Sequence, residues 1–313
     1  MRPVMNRSRV LVRAGVLLLG VLSMVAGAAR AFAEEGRHEP RAPLGFDLSK
    51  GWLDAWQHSD FSHGGTAYTH PVTLEPPYID RALIVDFAVA RGPGENGLEL
   101  AAELEWGFTR RFAMAVEVPY VWLLPDGGEQ DDGFADFSLA GRFLLVETER
   151  FLLSLQVEAA FPTGRREIGL SAEEVVLEPS LLAWVDLGAG FTLNLQAGYE
   201  RGVESEETEV FYRAGLAWSV ALRRAETSDQ KAHAGHSHAA HPPRAGLLSF
   251  TAEYTGRTPL ENEEEDEAAT GEMLLGAIYS ISENFDVRAG YLFPLGEPEE
   301  LRDGWIFGAT WHF

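Results

Sequence analysis

The C-terminal residues 303–313 place Trp305, Phe307, Ala309, Trp311 and Phe313 on one face of an extended chain, with Ile306, Gly308, Thr310 and His312 on the other. An alternating segment of roughly ten residues that stops on an aromatic is the pattern of a final transmembrane β-strand. In a soluble protein the same tail would be an aromatic edge strand, open to edge-to-edge aggregation. A closed barrel has no such edge, and lipid receives the aromatic face. The terminal Phe313 also has the character of a signal read by the barrel-assembly machinery of Gram-negative bacteria.

The N-terminus agrees with that address. Arg2, Arg7, Arg9 and Arg13 precede the uncharged run 14–29, and Ala31-Phe32-Ala33 supplies a small-x-small cleavage site before Glu34. Residues 1–33 therefore read as a secretory signal peptide. The apolar run is shorter than the roughly 20 residues of a spanning helix.

Composition narrows what the exported part can be. The chain has no cysteine, so neither disulfides nor a lipid-bearing thiol hold it in place. Its formal charge is −23, and loss of a leader with five arginines and no acids takes this to −28. Such a charge excludes nucleic acid as a partner and suits acidic surface loops. Mean hydropathy is slightly negative. Of the two structures that satisfy every backbone group in lipid, only the closed barrel fits so polar a chain.

Period-2 alternation recurs along the chain in about twelve segments. The clearest sets Phe191, Leu193, Leu195, Ala197 and Tyr199 against Thr192, Asn194, Gln196, Gly198 and Glu200. Residues 151–161 and 98–106 repeat it, and 83–90, 112–122, 134–146, 175–187, 210–222, 247–256, 272–281, 285–294 and 303–313 complete the series. The expected fold is all-β: a closed antiparallel transmembrane barrel over 81–313, after the cleaved leader and a segment 34–80 that either lies in the periplasm or plugs the lumen. A soluble sandwich or lipocalin-like barrel would instead turn its apolar face inward.

The connections test this count. Residues 109–111, 147–150, 188–190 and 282–284 are tight turns, and longer acidic or Gly/Pro-rich links fall between them at 91–97, 125–133, 162–174, 201–207, 258–271 and 295–302. Short and long alternate, as periplasmic turns and extracellular loops do. One connection, 223–245, breaks the rule: it is a long insertion on the short-turn side that holds His233, His236, His238 and His241. Four imidazoles could hold zinc, copper or nickel, which makes a metal-binding outer-membrane protein acting through this turn the second functional expectation, yet their spacing matches no structural zinc motif. The run 261–267, almost wholly acidic, reads as a solvated loop tip.

The inward positions suggest the chemistry of the lumen. They carry Glu99, Glu103, Glu105, Glu117, Asp136, Glu158, Glu178, Asp186, Glu200, Glu253 and Asp286 against Arg142, Arg213 and Arg288. A wet pore lined in this way favours cations. Twelve strands lie between the barrel sizes that side chains fill and those that enclose a channel.

Several short motifs carry a resemblance to a known family. Gly133-Phe134-Ala135-Asp136-Phe137, Gly141-Arg142-Phe143, Phe161-Pro162-Thr163-Gly164, Glu178-Pro179 and Asn194 with Gly198-Tyr199 resemble the phenol degradation meta-pathway family of outer-membrane barrels. The resemblance covers residues 103–313 and implies an outer-membrane transporter. It also implies that Phe-Pro-Thr-Gly marks a strand leaving the membrane into an outer loop. The His-rich insertion departs from the family pattern, and the motifs name no substrate.

An outer-membrane lipid hydrolase is the competing class. His58-Ser59-Asp60 cannot form a triad through adjacent side chains, and His312 stands alone at the periplasmic end. With no positioned nucleophile and base, the sequence supports a passive channel or transporter for small molecules or ions over an enzyme. Outer-membrane lipid, lipopolysaccharide and the assembly machinery are its expected partners, and no cofactor is required.

Overall fold

A computed structural model describes residues 42–57, 69–92, 95–125, 127, 129–205, 208–222, 244–260, 270–296 and 302–313. The leader 1–33, the motif His58-Ser59-Asp60, the four histidines His233, His236, His238 and His241, and the acidic run 261–267 lie outside these residues.

The alternating segments form antiparallel strands, in order β1 (Arg81–Arg91), β2 (Glu95–Gly107), β3 (Phe112–Pro125), β4 (Asp131–Phe134), β5 (Phe137–Glu147), β6 (Phe151–Phe161), β7 (Val176–Gly188), β8 (Phe191–Gly202), β9 (Thr208–Ala221), β10 (Leu247–Pro259), β11 (Thr270–Ser282), β12 (Phe285–Pro294) and β13 (Asp303–His312). Each pairs with its sequence neighbour, and β1 pairs with both β2 and β13, so the sheet closes on itself. Both β4 and β5 pair with β3, which makes them two halves of one stave and gives a barrel of twelve. The single expected strand 134–146 is thus broken at Ala135 and Asp136. There the Asp136 carboxylate accepts the Gly164 and Ala172 amides and ties down the next long loop.

Turn chemistry fits the strand ends. In the β7–β8 turn Gly188, Ala189 and Gly190 all have positive φ, and a Cβ on Gly190 would run into the Ser219 carbonyl oxygen. The tight turns, Arg81 and Phe313 share one end of the barrel, the turn end. The long links share the other, the loop end.

Faces are sorted as in a membrane. Leu104, Val116, Leu181, Leu195, Leu216, Phe250, Leu275 and Phe307 are exposed on the outside, whereas Arg142, Gln156, Asn194, Gln196, Glu253 and Arg288 are buried inside. A soluble barrel would show the reverse. Aromatic side chains stack in two belts on the outer face. One lies near the turn end, with Phe108, Phe112 and Phe143 and with Phe191, Trp218 and Phe250. The other lies near the loop end, with Phe137 and Phe161 and with Tyr291, Trp305 and Phe307.

Candidate functional site: a plugged acidic lumen

Residues 69–80 lie inside the barrel. Their sequence, Thr-His-Pro-Val-Thr-Leu-Glu-Pro-Pro-Tyr-Ile-Asp, has too many prolines for a helix or a paired strand, so its backbone polar groups find partners on the wall. Glu253 of β10 accepts from the amides of Val72 and Thr73 at 2.9 and 2.7 Å and from the Thr73 hydroxyl. Arg142 of β5 donates to Glu75 and to the Tyr78 carbonyl. The Ser154 hydroxyl of β6 donates to the Pro77 carbonyl. Arg288 of β12 donates through Nη1 to the Pro71 carbonyl at 2.7 Å and to His70 Nδ1 at 3.3 Å.

Apolar contacts complete the seat. Tyr78 packs with Leu144, Leu152 and Trp184, and Val72 packs with Leu274 and Ile278. Because Arg288 fills His70 Nδ1, the imidazole proton sits on Nε2, which faces Glu105 Oε2 across 3.9 Å. Burial and the Arg288 charge push the His70 pKa down to about 3, so the ring is neutral.

A second stretch, 42–57, closes the turn-end rim. Gly45 and Glu147 exchange both backbone hydrogen bonds, and Glu147 also pairs with Arg110 at 2.8 Å. The fully buried Arg111 guanidinium donates to the carbonyls of Asp47, Lys50, Leu144 and Leu145. The Trp56 indole donates to the Ile79 carbonyl, and Gly107 leaves the room that Trp56 occupies.

On the loop-end side of the plug lies a cavity of about 250 Å³, lined by residues 70–75, Asp86, Glu103, Glu117, Glu158, Glu178, Arg213 and Arg288. The side of the plug follows from strand order. On β6, Ser154 touches the plug and Glu158 is two inward positions nearer the loops; on β2, Glu103 lies beyond Glu105 in the same sense. Carboxylates outnumber guanidinium groups here, and Arg288 is already engaged by Asp86. The arrangement can concentrate positive charge at the plug.

The other inward residues have different places. Glu105 is buried against Arg142 at 2.6 Å. Asp286 pairs with Arg244 and His312 near the turn end. Glu200 shares Arg257 with Glu209 near the loop end, and Glu99 lies two inward positions beyond Glu103. Asp136 holds a loop at the strand break instead of facing the cavity, because its carboxylate is consumed by the Gly164 and Ala172 amides. Phe313 donates its amide to the Arg81 carbonyl at 2.9 Å, and its ring lies 6.3 Å from that of Trp106.

His312 is not alone. Nδ1 meets Asp80 of the plug at 2.7 Å, while Nε2 meets Arg244 at 2.7 Å and Asp286 at 3.2 Å. The chain therefore brings together groups more than two hundred residues apart, which local spacing does not reveal.

The fold is that of a twelve-stranded outer-membrane β-barrel. An outer-membrane channel from Pseudomonas putida F1 superposes with a TM-score of 0.53 at 12% identity, covering 79% of this chain and 100% of the other. The NanC porin gives 0.48 at 9% identity over 74% of this chain and 100% of its own. No protein-family description and no curated protein sequence matches the chain.

Sequence reasoning missed Asp86, Glu75, Asp80, His70 and Arg244. Asp86 had a signal, since it is the one charge between Ala82 and Ala90 in an apolar strand. Arg244 closes the His-rich insertion and turns into the lumen, and nothing in its neighbourhood marks it.

Proposed function

We propose that this chain is an outer-membrane channel or transporter that passes small molecules passively and favours cations. The acidic cavity above the plug carries this reading. Glu103, Glu117, Glu158 and Glu178 converge there with Arg213 as the nearest guanidinium not already held by a lumen carboxylate. In a confined, partly desolvated space each such carboxylate lowers the energy of a permeating cation more than it would in bulk water. The motif resemblance to the phenol degradation meta-pathway family supports the same class and names no permeant.

The same reading places the turn end in the periplasm and the loop end outside, with export directed by residues 1–33 and insertion aided by Phe313. It assigns no catalytic group. Liposome swelling tests it: vesicles holding the refolded protein should admit small cationic solutes faster than anionic ones of equal size. Equal exclusion of both, or faster entry of the anion, would overturn it.

A further inference from the structure

Resting on that reading, we propose that residues 69–80 form a displaceable strap: the lumen wall is built to remain satisfied when the strap leaves, whereas the rim is built to hold. The charged and amide-bearing wall residues that grip the strap each keep a second partner on the barrel, whereas the neutral Ser154 hydroxyl has only the Pro77 carbonyl. Arg288 holds Asp86 through Nε and Nη2 and spends only Nη1 on the strap. Arg142 keeps Gln156 and Glu105. Glu253 keeps the Thr251 hydroxyl, Gln196, which accepts the Glu75 amide at 3.4 Å, keeps Ser180 and Arg213, and His312 keeps Arg244 and Asp286. Withdrawal of the strap therefore leaves the buried guanidinium groups of Arg142 and Arg288 still paired with carboxylates, while Glu253 keeps the Thr251 hydroxyl and takes water in place of the strap donors. The groups the strap loses would meet water entering the lumen.

The rim is made differently. Arg111 is a buried cation whose acceptors are backbone carbonyls, two from the rim stretch and two from the wall. Removing the stretch would strip it of half of them, with Glu147 of the wall as a nearby charge that is already paired to Arg110. Gly45 and Ala55 are also bridged to Glu147 and Thr109 as short strand extensions. One part of the N-terminal region is thus an anchor, and the part inside the lumen is the element that moves.

Hydrogen exchange on the refolded full chain in lipid nanodiscs tests the division. The amides of Val72, Thr73 and Glu75 should exchange on the order of a hundredfold faster than those of β6 and β12, with the Gly45 amide staying among the slow ones. Exchange of the strap in step with the strands would overturn the proposal. A lock adds a second reading, since the chain has no cysteine of its own. Oxidised Val72→Cys/Leu274→Cys protein should slow exchange at Thr73 and Glu75 to strand rates and lose most of its conductance, and reduction should restore both. If the lock slows exchange and leaves conductance unchanged, the strap does not gate the lumen. If no form conducts while the exchange difference persists, the channel reading fails and the displaceable strap stands.

Discussion

Arg288 of β12 reaches over Gly308 of β13 to donate from Nε to Asp86 of β1 at 2.9 Å, so one ion pair spans the seam where the barrel closes. Gly308 lies between them in both registers, and a Cβ there would overlap Asp86 Oδ1 and crowd the Arg288 guanidinium. Closure and strap docking meet at this guanidinium.

Gly308→Ala should therefore cost about 2–4 kcal/mol, the range for overpacking combined with a disturbed buried pair. Urea unfolding in lipid vesicles should show a lower midpoint. The neighbouring outward change Ala309→Gly leaves the pair untouched and should cost about 1 kcal/mol, as glycine in a strand interior does. Equal losses at the two positions would mean that the seam pair carries no special weight.

Acid should loosen the strap through His70. The imidazole is buried neutral with a pKa of about 3, against 6.5 when released to water. The released state thus binds more protons between these values, so docking is fully present above 6.5 and weakens as pH falls toward 3. Arg288, Glu75, Arg142 and His312 act on the ring and Glu105 lies 3.9 Å from Nε2, with Glu75 the charge that opposes the downward push. Protection factors of the strap amides, taken relative to intrinsic exchange at each pH, should fall from pH 6.5 to 5, where carboxylates in water stay ionised. His70→Gln should flatten that dependence, and an unchanged slope would assign it to other groups.

Deleting Phe313 should impair assembly. The deletion removes one backbone bond to Arg81 and one aromatic contact at the closing seam, together with the proposed recognition element. Heat-modifiable migration on gels should shift toward the unfolded form. Normal yield of folded barrel from the deletion would remove Phe313 from the account.

The strands were legible because every stave obeys one local rule, alternation with period 2, and because Leu or Phe outside and Glu or Gln inside are unambiguous choices. The break at Ala135 and Asp136 was passed over although it leaves a mark, since Phe134 and Phe137 are three residues apart and cannot share one face of a continuous strand. Alternation put Glu103, Glu117, Glu158 and Glu178 on the inward face but left out Asp86. The partners of lumen residues were not legible, because Asp80 with His312 or Thr73 with Glu253 are contacts across the whole chain. Residues 70–78, rich in proline and without period, gave no sign of which wall would receive them.

The most direct test of the account is the reversal potential of the refolded protein in a planar bilayer under a salt gradient. Wild-type protein should show cation preference, and Glu103→Gln/Glu117→Gln/Glu158→Gln, which keeps size and alternation, should move the potential toward zero. High salt should do the same to the wild type by screening. An anion-selective wild type, or a triple variant with an unchanged potential, would contradict the claim that these carboxylates set what the lumen admits.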